Sequence, residues 1–286
     1  MKVLIIGSNG QLGRQMQDKL AACNVQYDAR DLPDIDITDP ASIEKSISAA
    51  AYSSVINCAA YTNVDGAETD EETAYRINAQ GPKNIAVVCS RHDIELFHVS
   101  TDYVFSGEGI SEKGQLRPYI ESDACKPDTA YGRTKLAGEQ FVQDTHNKSY
   151  ILRTAWLYGD GGNFIKTMLG LAKTHERLTV VNDQFGSPTS TVDLAEAIFA
   201  LMGSGHYGTY HATCEGVCTW YDFAKKIFEL KGIDIAVAPV SSDAYPRPAK
   251  RPKWSVLENT QLKKHGIHVF RHWEQALKQY LKQTDI

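Results

Sequence analysis

The sequence predicts an α/β fold: a doubly wound, mainly parallel sheet with a smaller, irregular C-terminal lobe. Three observations carry that prediction. A short apolar run, Lys2–Ile6, empties directly into the turn Gly7-Ser8-Asn9-Gly10-Gln11-Leu12-Gly13. Strand-length apolar segments then alternate with amphipathic helical segments as far as Arg153. Beyond residue 155 the alternation loses its regularity, which divides the chain into 1–155 and 156–286, with segments of the second part crossing back to the first.

The N-terminal run reads as a buried strand. A strand, a glycine turn and a helix in that order form a dinucleotide-binding fingerprint. Gly7 permits the tight turn, Gly10 lets a pyrophosphate approach the free N–H groups of the helix start, and Gly13 lets helix and strand lie close. Gln11–Ala22 is the first helix, with Leu12, Met16 and Leu20 on one face. Val25–Tyr27 is a second strand. Asp28 at its end suits an adenosine ribose, whereas Arg30 suits a 2′-phosphate, so NADH and NADPH both stay open. Ile35–Thr38 reads as a strand edge running into a helix capped by Asp39, with Pro40 at its first position. Ser54–Cys58 is the third strand, followed by the small residues Ala59 and Ala60. Gly66–Ala79 and Pro82–Arg91 read as helices.

Ile94–Val99 is the fourth strand and ends in Ser100-Thr101-Asp102, polar groups at the carboxyl edge where ligands gather in such sheets. Ser106–Asp128, rich in glycine and proline, reads as a long loop of the kind that forms a lid or an active-site wall. Ala130–Thr145 is a strong helix and Tyr150–Arg153 the fifth strand. In the second half, Asn163–Lys173, Val192–Met202, Thr219–Leu230 and His272–Lys282 read as helices, and Leu178–Val181, Gly208–Ala212 and Ile235–Val240 as strands. A ligand cleft is expected between the two lobes.

Bulk properties narrow the class. At 286 residues the chain can bury a large core. The net charge of -5 disfavours a nucleic-acid partner. There is no apolar run long enough for a membrane span, and the N-terminal run is too short for a signal peptide. The six cysteines are scattered and complete no zinc set, so a reducing, cytoplasmic location is expected.

The chemistry converges on one helix. Tyr131 and Lys135 are four residues apart and share a face. A lysine ammonium beside a phenol lowers its pKa, and such a tyrosine exchanges a proton with a carbonyl or alcohol oxygen. Thr101 is placed to hold the same oxygen. With a nicotinamide across the strand ends, this is a complete carbonyl reductase site. Taken alone, a Tyr–Lys pair is also a common surface feature.

These residues resemble the extended short-chain dehydrogenase/reductases, and more closely the dTDP-4-dehydrorhamnose reductase family. The matching stretches are Gly7–Gly13, Ile35–Pro40, Asn57–Asp65, Ser100–Phe105, Tyr131–Glu139, Arg153–Gly159, Gly162–Phe164, Asp183–Thr189 and Arg251-Pro252. They span nearly the whole chain in order, and Ser-Thr-Asp-Tyr-Val-Phe is the most specific of them.

The resemblance implies a Rossmann-type fold and reduction of the 4-keto group of dTDP-4-dehydro-beta-L-rhamnose by NADPH or NADH to dTDP-L-rhamnose. It implies Tyr131 as proton donor, Lys135 as the cation that lowers its pKa and holds the nicotinamide ribose, and Thr101 as the group orienting the keto oxygen. The cofactor would follow Gly7, Asn9, Gly10, Gln11, Leu12, Gly13, Asp36, Ile37, Ala59, Ala60 and Tyr61, with Asp28 or Arg30 at the adenosine end. Asp102, Tyr103 and Trp156 would line the sugar pocket, and Asn163, Gln184 and Arg251 are candidates for the rest of the substrate.

Structural alternatives accompany several of these: Trp156 as a core aromatic, Tyr103 as packing under the long loop, Asn163 as a helix cap, Arg251 as a surface loop residue. Gln15 stands where some relatives carry an acidic residue of a metal-linked dimer, so no metal is expected, and a homodimer is carried only as a candidate assembly. The competing functions are another nucleotide-sugar epimerase or reductase, and a non-catalytic subunit resembling the regulatory subunit of methionine adenosyltransferase.

Overall fold

The computed structural model describes residues 1–267 and 269–283. Six parallel strands form the central sheet: β1 (Lys2–Ile6), β2 (Gln26–Arg30), β3 (Ser54–Asn57), β4 (Glu95–Thr101), β5 (Ser149–Thr154) and β6 (Gly208–His211), in the order β6-β5-β4-β3-β1-β2. The direction of winding reverses between β1 and β3, which places a crevice at their carboxyl ends.

Strand alternation sorts the core into two layers. Val3 and Ile5 of β1 face α1 (Gln11–Ala22), where Leu12, Met16 and Leu20 are buried with them. Leu4 and Ile6 point the other way, onto α2 (Pro40–Ile47), α3 (Gly81–Arg91) and α4 (Ala130–Thr145), through Ile43, Ile47, Ile85, Val88 and Val142. Helix starts follow the cap chemistry: Asp39 accepts from the Ala41 N–H ahead of α2, and Thr129 from the Gly132 N–H ahead of α4.

A second apolar cluster holds the C-terminal lobe together. It joins Ile165 and Leu169 of α5 (Phe164–Ala172), Phe223 and Ile227 of α7 (Trp220–Lys231) and Trp273 and Leu277 of α8 (Trp273–Gln283). The parallel pair Arg177–Val181 and Ala236–Val240 covers this cluster. The chain returns to the first lobe twice. Helix α6 (Thr191–Leu201) packs on the α1 face of the sheet through Leu194 and Ile198, and β6 adds the sheet's outermost strand beside β5. Among the described residues no helix is long and apolar enough to cross a membrane. All six cysteines are free thiols.

Three segments depart from the sequence reading. Ile35–Thr38 is not a strand: the Asp36 carboxylate accepts from the Thr38 N–H and hydroxyl at 2.8 Å each, and the Asp36 N–H donates to Ser42 Oγ, so side chains take the backbone bonds that a ladder would need. Gly66–Ala79 is not one helix. It breaks into Val64–Ala67 and Glu71–Tyr75, and the latter runs into a π-helical turn at Arg76–Gln80. That turn carries buried Asn78, whose amide brackets the Tyr61 backbone and reaches Thr134 of α4. The long loop contains a hairpin, Ile110–Glu112 against Gln115–Arg117, turning at Lys113 and Gly114, both at positive φ.

Candidate active site

The carboxyl ends of β1, β3, β4 and β5 open into one cavity of about 880 Å³. At its β1 end the glycine turn is built as expected. Gly7 has φ +77°, and a Cβ there would stand 2.5 Å from the Ala59 nitrogen. A Cβ on Gly13 would stand 2.3 Å from the Gly7 carbonyl oxygen. No side chain caps α1, so its first N–H groups remain available beside the cavity, the arrangement that receives a pyrophosphate.

Of the predicted cofactor residues, Gly7, Gly10, Gln11, Leu12, Gly13, Asp36, Ile37, Ala59 and Ala60 line the cavity, together with Tyr131 and Lys135. Asn9, Asp28, Arg30 and Tyr61 do not. The Asn9 N–H donates to Asp31 at 2.9 Å, and the Tyr61 backbone is held by Asn78. Asp28 sits opposite Leu4 in the middle of the sheet register, and its carboxylate is taken by the Tyr52 hydroxyl and by Lys2 at 2.7 Å. The carboxylate at the true carboxyl end of β2 is Asp31, which does line the cavity. The strand runs on to Arg30, beyond the Tyr27 end read from its apolar residues.

At the centre, Thr101 closes β4, and Asp102 and Tyr103 begin a 3₁₀ turn that the Thr101 side chain caps. The Thr101 hydroxyl donates to Asp102 Oδ1 at 2.9 Å. Tyr103 meets the Tyr131 ring edge-on, with centroids 5.4 Å apart. Burial pushes the Asp102 carboxyl up to about 6, against hydrogen bonds from Ser255 and Thr101. The Lys135 ammonium donates to the Val99 carbonyl at 2.7 Å. Burial pulls it down to about 8, while Glu139 holds it up.

The expected lowering of the Tyr131 pKa by Lys135 is not what this arrangement produces. Burial and the neighbouring Asp102 charge push the Tyr131 phenol well above its ordinary value, and the hydrogen bond with Thr101 only opposes them. The lysine is instead committed to the Val99 carbonyl. Tyr131 is therefore a protonated phenol at neutral pH.

Trp156 lines the cavity from the end of β5 with φ +48°, a strained angle for a tryptophan. It is gripped by Trp220, stacked at 3.6 Å, and by Gly186, where a Cβ would fall 2.5 Å from the indole.

Asn163, Gln184 and Arg251 lie outside the cavity wall. Asn163 caps α5 and donates to the Gly159 carbonyl and the Tyr280 hydroxyl. Gln184 is buried beside the short strand Phe185–Gly186. Arg251 pairs with Asp65 at 2.8 Å. The long loop 106–128 also contributes nothing to the cavity wall and instead packs Tyr119 flat on Phe105. Sequence reasoning missed Asp31, Thr62 and Arg76 in the wall. A signal for Asp31 existed: it follows the last β2 residue, where the topology asks for a carboxylate.

Comparison with known proteins agrees with this geometry. The family described as "RmlD substrate binding domain" matches residues 1–286. The chain belongs to the RmlD substrate-binding-domain family. A dTDP-4-dehydrorhamnose reductase of Mycobacterium tuberculosis is 44% identical over 289 residues, covering 96% of this chain and 91% of that protein. The crystal structure of a dTDP-4-dehydrorhamnose reductase from Clostridium acetobutylicum superposes with a TM-score of 0.96 at 48% identity over 100% of both chains. That of the dTDP-4-dehydrorhamnose reductase from Bacillus anthracis, in complex with NADP, gives 0.94 at 40% identity over 99% of both. This chain thus shares the fold of these dTDP-4-dehydrorhamnose reductases over nine-tenths or more of each.

Proposed function

We propose that this chain is an NAD(P)H-dependent reductase. It reduces the 4-keto group of dTDP-4-dehydro-beta-L-rhamnose to give dTDP-L-rhamnose, in the cytoplasm. The observation that carries the reading is the gathering of Thr101, Tyr131, Lys135 and the glycine turn around one cavity in a chain that matches dTDP-4-dehydrorhamnose reductases end to end.

The residues present fit a dinucleotide. The uncapped start of α1 supplies N–H donors for the pyrophosphate, and Gly7 and Gly13 give the close packing that brings it there. When bound, the reduced nicotinamide supplies a hydride to the keto carbon. Tyr131 supplies the proton to the keto oxygen. Its high pKa in this setting keeps that proton on the phenol until negative charge develops on the substrate, as a general acid requires. Lys135, charged below about pH 8, holds a ribose hydroxyl. Thr101 orients the keto oxygen, and Asp102, Tyr103 and Trp156 form the wall against which the sugar sits.

The test is loss of reduced-nicotinamide absorbance on adding dTDP-4-dehydro-beta-L-rhamnose, with NADH and NADPH in parallel. Wild-type protein should turn over, and Tyr131→Phe should lose roughly 10²- to 10⁴-fold in kcat. No oxidation with either cofactor, in protein that binds both, would overturn the reading.

A further inference from the structure

Ser255 lies in the C-terminal half of the chain and does not line the cavity, yet its hydroxyl donates to Asp102 Oδ2 at 2.6 Å, across 153 residues of sequence. The other Asp102 oxygen takes the Thr101 hydroxyl. Both Ser255 and Asp102 are buried, at 2% and 5% exposure, so water does not compete for these bonds.

The aim of the Ser255 hydroxyl is set by its backbone. The Ser255 N–H donates to the Phe185 carbonyl at 2.7 Å, and the Phe185 N–H to the Lys253 carbonyl at 2.8 Å. The neighbouring Trp254 is stitched to the first lobe, its N–H on the Gly107 carbonyl and its indole N–H on the Arg117 carbonyl. Trp254 and Ser255 thus tie this piece of the C-terminal lobe to the first lobe, one at the loop that follows β4 and the other at Asp102.

A hydroxyl has one proton to give. With Ser255 and Thr101 each spending theirs on the carboxylate, Asp102 is fixed as an acceptor at both oxygens. The Thr101 hydroxyl is thereby turned onto Asp102, and its oxygen also takes the Tyr103 N–H at 3.2 Å.

We propose that Ser255 is a positioning residue for the reduction: it locks Asp102 from the opposite lobe and through Asp102 sets the direction of the Thr101 hydroxyl beside Tyr131. The inference rests on the reading of Thr101 and Tyr131 as reaction groups. The titratable groups that feel Asp102 are Tyr103 on its own turn and Tyr131 on α4. Arg251 and Asp65 are charges close to Tyr103, and Lys135 shares the cavity wall. None of their side chains donates to the Asp102 carboxylate, whose donors are the Ser255 and Thr101 hydroxyls and the backbone N–H groups of Asp102 and Tyr103, so removing the Ser255 donor acts on Asp102 directly.

The experiment compares Ser255→Ala and Ser255→Thr with wild type, by two readouts. The first is the Asp102 carboxyl titration, followed by carbon NMR in protein with labelled aspartate, which needs no turnover. It should move upward in Ser255→Ala and return in Ser255→Thr. The second is kcat and KM against pH. Ser255→Ala should lower kcat by roughly tenfold near neutral pH with KM for the cofactor unchanged, and should shift the acid limb to higher pH. An unmoved Asp102 titration, or a kcat–pH profile in Ser255→Ala identical to wild type, would overturn the proposal. If wild type itself is inactive, the functional reading has failed, and the titration still decides whether Ser255 controls Asp102.

Discussion

Arg153 and Glu139 form an ion pair of 2.7 Å with both side chains almost wholly out of water, at 6% and 1% exposure. The Arg153 guanidinium meets the Glu139 carboxylate through two of its nitrogens, and Ser100 donates to the same carboxylate. The pair ties β5 to α4 one helical turn beyond Lys135.

Breaking one side of such a pair strands a charge in a low-dielectric interior. Glu139→Gln should cost about 3–5 kcal/mol of stability in urea unfolding. Arg133, also on α4, pairs with Glu71 of the helix Glu71–Tyr75 with both ends about half exposed, and Arg133→Ala should cost less than about 1 kcal/mol. Similar losses for the two variants would show that the buried pair is not a keystone of the α4–β5 contact.

The pH dependence follows from two buried groups. Asp102 loses its proton at about pH 6, and Lys135 loses its charge at about pH 8. The kcat/KM of the free enzyme should rise through the first and fall above the second, a bell centred near neutrality. Stability carries the opposite sign at the acid side. The folded Asp102 pKa stands above that of an unfolded carboxylate, so the native state takes up the proton first. Its contribution therefore falls, by about 3 kcal/mol in all, as pH rises from about 4 to beyond 6. Urea midpoints of wild type and Asp102→Asn across this range check it; parallel curves would refute the assignment.

Much of this architecture is legible in the residues because local chemistry marks it. The bounds of α1 and α4 follow from a glycine turn and a Thr129 cap, and the apolar stripe of α1 faces the sheet as its spacing requires. What is not legible depends on partners far along the chain. The π-helical turn at Arg76–Gln80 goes with Asn78 bonding Tyr61 and Thr134, and Ser255 reaches Asp102 only once both lobes are folded. Register is the other blind spot. Reading β2 as ending at Tyr27 put Asp28 at the cofactor, whereas β2 continues to Arg30 and brings Asp31 there instead.

That register makes a prediction about cofactor choice. Asp28 is spent on Lys2 and Tyr52, away from the cavity, so Asp28→Asn should leave the NADH to NADPH ratio of kcat/KM within about twofold. Asp31 uses each carboxylate oxygen once, on the Asn9 and Leu32 N–H groups, and keeps lone pairs for a ribose hydroxyl. Asp31→Asn should move the ratio roughly tenfold toward NADPH by removing a negative charge from the place a 2′-phosphate would occupy. A large change in the first variant and none in the second would reverse the assignment.

Trp156 is held in a strained backbone angle by packing rather than by its own preference, so its grip should be open to attack from behind. A methyl at Gly186 would press on the rigid centre of the indole at 2.5 Å, and Trp220 at 3.6 Å blocks retreat on its stacked face. The ring must then tilt toward the cavity, where we place the sugar. Gly186→Ala should raise KM for the nucleotide sugar about tenfold and cost about 1–3 kcal/mol of stability, while cofactor affinity stays at the wild-type value because the glycine turn lies at the β1 end of the cavity. Isothermal titration with the cofactor and steady-state kinetics with the sugar separate the two effects. Equal losses in both would mean that the substitution disturbs the cavity as a whole, and an unchanged KM would remove Trp156 from the substrate wall.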